Sequence, residues 1–227
     1  MFTFPVTFFG AGSATRTFLQ SETPINAIQT VYTFSNVNIG PATADRYVVC
    51  IIGCYVNVPS RTLNSVTIGG NAATIVVNSN AQVAAAATCI TGIAILNVTA
   101  GTTANVVATF NNNMLVCHCH TYVINNLTMA SPTSPTTKST TNNASGTTLS
   151  DTIATVANSL LIAGVTSAAS AGSFSFTGVA LDSNTTALSV PSGCGSAQNL
   201  SANAAFPYSS ILSSSTTVTA LAAATWS

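Results

Sequence analysis

The densest cluster of chemically competent side chains is Cys117-His118-Cys119-His120, thiols and imidazoles in strict alternation. Zinc sites usually draw such ligands from C-x₂₋₄-C knuckles that curl round one ion. The spacing here is C-x-C, and on a strand alternation sends Cys117 and Cys119 to one face and His118 and His120 to the other. The four cannot converge on one ion without a bulge. The pattern therefore predicts no metal site, with core cysteines and outward histidines.

Cys50, Cys54, Cys89 and Cys194 complete a set of six cysteines. Cys50 and Cys54 share one strand face but lie too far apart along it to bridge each other. Two assignments stay open: six buried thiols in a reducing compartment, or disulfides between adjacent strands joining Cys50 or Cys54 to Cys117 or Cys119.

The acids number four, Glu22, Asp45, Asp151 and Asp182. They sit in unrelated turn-like contexts, whereas a glycosidase sets two carboxylates across a cleft. Asp45-Arg46 opens a strand and Arg61 follows Pro59, which reads as a structural ion pair from strand end to loop. No G-x-S-x-G elbow, phosphate loop or dinucleotide fingerprint occurs, and nothing places a histidine beside an acid. The residues predict neither catalysis nor a cofactor. Asn-x-Ser/Thr triplets at Asn97, Asn126, Asn143, Asn184 and Asn199 are expected by chance in a chain so rich in these residues. Tyr32, Tyr47, Tyr55, Tyr122, Tyr208 and Trp226 are read as packing residues rather than a sugar platform.

Charge sets the surface chemistry. Asp, Glu, Lys and Arg make up 4% of the 227 residues, against about a quarter in an ordinary soluble domain. With formal net charge zero, copies of the chain repel one another little, which favours self-association. Arg16, Arg46, Arg61 and Lys138 are too few and too scattered to track phosphates, so no nucleic-acid partner is expected. The same scarcity argues against an anionic membrane surface. Mean hydropathy is +0.50, yet Ser, Thr, Asn or Gly interrupt every apolar run before the roughly 20 residues a spanning helix needs.

The elements that must position these residues are strands. Tyr47 to Val58 is a near-continuous apolar run, Ser65 to Ile68 resumes it, and Gly69-Gly70 turns the chain into Ala73 to Val77, as in a hairpin. Further candidates are Ile28 to Val37, Ala84 to Val98, Ala104 to Phe110, Met114 to Ile124, Leu149 to Val156, Ser159 to Val165, Ser173 to Val179, Ala187 to Val190, Ala204 to Ile211 and Thr216 to Trp226. A glycine-rich turn is expected at Pro191 to Gly195, and no internal repeat is evident. Short strands with turns about every ten residues predict an all-β antiparallel sandwich of jelly-roll or Greek-key type, with roughly ten to twelve strands.

Two regions stand outside that pattern. Residues 1–24 form an N-terminal arm, in which Phe2, Phe4, Phe8 and Phe9 are the candidate assembly residues, since an aromatic patch of that size is rarely left bare. Residues 25–227 form the sandwich domain. Within it the Ser/Thr/Asn-rich tract 128–148 is a surface loop or a boundary between two halves.

The segments ADRYVV, SVTIGGNAATIVV and the terminal LAAATWS resemble a group of uncharacterised virion proteins of tailed bacteriophages, over most of the chain from Ala44 to Ser227. The resemblance implies a head-decoration, spike or tail-fibre protein, located on the virion and assembled in the bacterial cytoplasm. Its implied partners are further copies of itself, trimers being common among such appendages, and major capsid or tail proteins. The resemblance carries no functional residues across. A carbohydrate-binding adhesin and a subunit of a cell-surface filament, with the arm as a donated strand, are the alternatives.

Overall fold

The structure, a computed structural model, describes residues 13–83, 87–168, 172–216 and 218–227. Among the described residues there are sixteen strands and no helix. In chain order they are β1 (Thr15–Ser21), β2 (Gln29–Asn38), β3 (Tyr47–Val56), β4 (Leu63–Ile68), β5 (Asn71–Val83), β6 (Ala87–Asn97), β7 (Thr103–Met114), β8 (Val116–Asn125), β9 (Thr136–Asn142), β10 (Gly146–Thr155), β11 (Ser159–Ser167), β12 (Phe174–Thr177), β13 (Ala180–Ala187), β14 (Val190–Leu200), β15 (Asn203–Thr216) and β16 (Thr219–Trp226).

The pairing is nested and antiparallel: β1 with β8, β2 with β7, β3 with β6, β4 with β5. That nesting defines a jelly roll. One layer has the order β1-β8-β3-β6-β5 and runs on through β5 into β4-β7-β2. Side chains from β2, β3, β6, β7 and β8 meet in one buried cluster, so the eight-stranded sheet curls round its own core.

The second half repeats this topology. Its sheets have the orders β9-β16-β11-β14-β13 and β10-β15-β12, the first half's orders with each strand advanced by eight. One backbone ladder is missing, since β12 and β13, the counterparts of β4 and β5, are joined instead by the Asn184 side chain, which accepts from the Phe174 N–H and donates to its carbonyl, each at 2.9 Å. The repeat is one of topology, without an evident repeat in the sequence. Strand order depends on pairing and on the polarity pattern, and both halves keep these with different side chains.

The two jelly rolls stack back to back. β3 packs on β11, β6 on β16, β8 on β14, β1 on β13 and β5 on β9. Exchanging the halves maps this set onto itself, so a pseudo-twofold axis runs between β3 and β11. Four layers result, and the inner strands are covered on both faces. In β3 the alternate residues Val48, Cys50, Ile52 and Cys54 face the curl, while Val49 and Ile51 face the second half. In β11, Leu160 and Ile162 face the first half and Leu161, Ala163 and Val165 face the outer sheet. Burial on both faces is why these strands read as unbroken apolar runs in the sequence.

Two glycines set the spacing between the halves. A Cβ on Gly164 would lie 2.4 Å from Ile51 Cγ2, and one on Gly53 would meet the Thr166 hydroxyl. Neither position has room for a side chain.

Several boundaries differ from expectation. The tract 128–148 follows β8 and contains β9 and the start of β10. β9 is polar because it is an edge strand paired only with β16 and half open to solvent. The turn expected at Pro191 to Gly195 is buried strand within β14. The chain reverses instead at Leu188-Ser189, whose φ angles of 51° and 63° fit a two-residue hairpin turn. Gly195 is required by close approach rather than by a turn, for its Cβ would lie 2.6 Å from the Ala180 carbonyl oxygen. In the N-terminal arm, Thr15–Ser21 is an edge strand of the curled sheet.

Candidate functional site

Strand alternation on β8 is as expected, and the environment of the histidines is not. Cys117 and Cys119 enter the core of the first jelly roll with Cys50 and Cys54. His118 and His120 point the other way, into the interface between the two halves, and both are fully buried. The outward histidines are therefore corrected. A second jelly roll covers the face that one sheet alone would leave to solvent.

Each imidazole is held by hydroxyls. His120 Nδ1 lies 2.6 Å from Ser21 Oγ, and its Nε2 lies 3.0 Å from Ser192 Oγ. Ser21 donates in turn to Ser183 Oγ at 2.7 Å. His118 Nδ1 lies 2.8 Å from Thr185 Oγ1, and its Nε2 is buried without a partner among the described residues. A neutral ring has one donor and one acceptor nitrogen, a demand that the pair of hydroxyls satisfies at His120. Burial holds His118 at about 4. Burial, with His118 close by, holds His120 at about 3. Both rings are neutral at physiological pH.

The seam extends along β8 to Tyr122, whose hydroxyl donates to Asp182 Oδ2 at 2.8 Å. Ser196 Oγ donates to the same carboxylate oxygen, and Arg16 reaches the Ser196 carbonyl at 3.2 Å. Burial pushes the Tyr122 hydroxyl well above its ordinary range, with Cys194 and Asp182 adding to the effect. Ser192 beside His120 has the spacing of a nucleophile–base pair, yet the second ring nitrogen meets Ser21 rather than a carboxylate. Both side chains are fully buried. This is the chemistry of a joint between two layers: hydroxyls, imidazoles and one carboxylate satisfying one another across the interface.

Among the described residues, no group of three or more His, Cys, Asp or Glu side chains is placed to hold a metal ion. The six cysteines are free thiols and all are buried. Cys54 Sγ lies 2.7 Å from Cys117 Sγ.

The expected ion pair of Asp45, Arg46 and Arg61 does not form. Arg46 is fully buried and donates to four backbone carbonyls, those of Val98 (2.7 Å), Gly40 (2.6 Å), Gly101 (2.9 Å) and Ala100 (2.8 Å). It clamps the loops at the base of the curled sheet, a use of the planar guanidinium fork that an ion pair would pre-empt. Asp45 accepts from the Asn126 N–H at 2.9 Å, and that bond holds its carboxyl below the usual range. Arg61 donates to the Asn113 and Pro59 carbonyls at 3.2 and 3.0 Å. Tyr32, Tyr122, Tyr208 and Trp226 are core residues, as expected of packing aromatics.

Two surface features remain. A groove of about 400 Å³ crosses the three-stranded sheet, bordered by Ser150, Thr152, Thr177, Pro207 and Ser209. At the edge strand β2, Val31 within it and Ile28 just before it are 45% and 71% exposed, and Val58 is 40% exposed. Ile28 and Val58 border one cavity of about 220 Å³. Phe2, Phe4, Phe8 and Phe9 lie outside the described residues.

The chain matches no protein-family model, no curated protein and no solved structure. What this protein does must therefore be argued from its own geometry. The sequence singled out the Cys-His alternation and its strand faces. It missed Ser21, Ser192 and Thr185 as partners, because their only signal was small hydroxyl residues in apolar strands, a feature common throughout this chain.

Proposed function

We propose that the chain is a structural subunit of a tailed-bacteriophage particle, a head-decoration or appendage component that works by packing on further copies of itself and on capsid or tail proteins. The observation that carries this is the β2 edge. β2 is hydrogen-bonded to β7 alone, contains no charged residue, and carries the exposed Val31, with the exposed Ile28 just before it and Val58 also exposed. Soluble proteins usually blunt such an edge with lysine or proline. Here the near-absence of charge leaves an uncharged surface whose burial contributes about 25 cal/mol per Å² of apolar area before the cost of association. The jelly roll is a common fold of viral capsid domains, which supports the reading at the level of fold analogy only.

Sedimentation velocity over a range of concentrations tests it. Wild-type protein should form a discrete oligomer, and an Ile28→Lys, Val31→Lys variant should sediment as a monomer with unchanged circular dichroism. A wild-type chain that stays monomeric at every concentration would remove the basis for lattice packing. Quantitative mass spectrometry of purified particles then measures copy number against the major coat protein; absence from particles would favour the filament alternative.

A carbohydrate-binding module is the second reading, supported by the hydroxyl-lined groove on the three-stranded sheet. Saturable binding on a glycan array, lost on Thr152→Lys, would favour it.

A further inference from the structure

We infer that Cys54 and Cys117 form a cross-strand pair built to close a single disulfide within the first jelly roll, the other four cysteines remaining thiols. The two residues oppose each other in the β3–β8 ladder. The Cys117 N–H donates to the Ile25 carbonyl at 3.1 Å, and its own carbonyl accepts from the Ile25 N–H at 2.9 Å. In an antiparallel ladder both backbone groups of a residue point the same way, so Cys117 turns neither toward β3. Cys54 and Cys117 are therefore a non-hydrogen-bonded pair. At such a pair the Cα atoms approach to about 4.5 Å and the side chains lie closest, within the span of known disulfides. The sulfurs sit 2.7 Å apart, closer than two unbonded sulfur atoms pack.

No other pair of thiols is directly opposed across a ladder, although Cys50 and Cys119 meet in a side-chain hydrogen bond. Cys119 opposes Ile52 and Cys50 opposes Thr121, which makes Cys50 and Cys119 diagonal neighbours, whose Cα atoms lie roughly 7–8 Å apart. That exceeds what a disulfide spans. Cys89 opposes Tyr55 and Ala81 and donates to the Thr166 carbonyl at 3.0 Å. Cys194 opposes Gly164 and Ser183.

The oxidant is a low-molecular-weight disulfide such as oxidised glutathione. One cysteine, as thiolate, attacks it and releases one glutathione thiol; the other then attacks the mixed disulfide and releases the second. The two protein thiols lose two protons and two electrons, and two glutathione thiols carry them away. Both cysteines are fully buried, and burial raises the Cys54 thiol well above its ordinary value. Exchange in the folded chain is therefore slow. The bond forms as β3 and β8 pair during folding, and it then ties together the strands that enclose β4 to β7.

The test is refolding of the whole chain from denaturant in a reduced/oxidised glutathione buffer, followed by alkylation under denaturing, non-reducing conditions and peptide mapping. The expected result is a chain lighter by two hydrogen atoms, four of its six cysteines alkylated, and a Cys54–Cys117 cross-linked peptide. A Cys50→Ala, Cys119→Ala variant should retain that peptide, and Cys117→Ser should lose it. Six alkylated cysteines in the refolded wild-type chain, or a bond joining any other pair, would overturn the assignment. The wild-type map decides the matter even if a variant fails to fold.

Discussion

His120 Nε2 and Ser192 Oγ lie 3.0 Å apart across the boundary between the two jelly rolls. The pseudo-twofold counterpart of this contact is apolar. On β16, the counterpart of β8, the side chains that face the interface are Ala222, Ala224 and Trp226. One flank of the interface, β8 and β1 against β14 and β13, is joined by hydroxyls and imidazoles. The other, β6 and β5 against β16 and β9, is filled mainly by Ile93, Ile95, Val77, Ala222 and Ala224, with Thr91 donating to the Ala220 carbonyl at 2.8 Å and Ser79 to the Thr140 carbonyl at 3.1 Å. The apolar flank supplies area, and the polar flank requires one relative height of the two halves, since a slip of one residue would strand buried imidazoles.

Acid should weaken the fold through these rings. In the unfolded chain a histidine titrates near 6.5, and in the folded protein His118 and His120 are held at about 4 and about 3. At pH 7.5 both are neutral in either state and contribute no pH dependence. Below about 6.5 the unfolded chain binds protons that the folded chain refuses, so stability falls down to the folded values. At pH 5 the loss is about 2 kcal/mol for each ring. Urea denaturation at pH 7.5 and 5.0 measures it; equal midpoints would mean that the folded rings accept protons freely.

Gly164→Ala should destabilise by about 2–3 kcal/mol, because its new methyl collides with Ile51 across the interface. In an Ile51→Ala background the same change should cost less than about 1 kcal/mol, since the colliding atoms are gone. Equal costs in both backgrounds would show that the halves shift apart instead.

Arg46→Ala leaves the carbonyls of Gly40, Val98, Ala100 and Gly101 without their donor. A loss of about 4 kcal/mol is expected, with early cleavage at the freed loops in limited proteolysis. Arg46→Lys should recover only part, as one ammonium cannot span four acceptors arranged for a planar fork.

On the proposed reading of the chain as an assembly subunit, Phe4→Ser with Phe8→Ser should abolish association while leaving the thermal midpoint unchanged. A collapse of the midpoint would instead place the arm in the chain's own core.

Much of this protein is determined by its sequence alone. Period-two alternation, turn residues about every ten positions and the lack of charge specify antiparallel strands, and the Gly69-Gly70 hairpin forms with φ angles of 60° and 82°, because such turns depend on local backbone sterics. Alternation also placed Cys117 and Cys119 opposite His118 and His120. Tertiary structure decided what each face meets. Only stacking of the second jelly roll turns the histidines from surface into core, makes Gly53 and Gly164 indispensable, and shows that two dissimilar sequences share one topology. Those facts rest on contacts between strands far apart in the chain, such as His118 with Thr185 and Gly53 with Thr166. A local pattern records which face of a strand is polar, and the partner's position determines whether that polarity meets water or a buried hydroxyl.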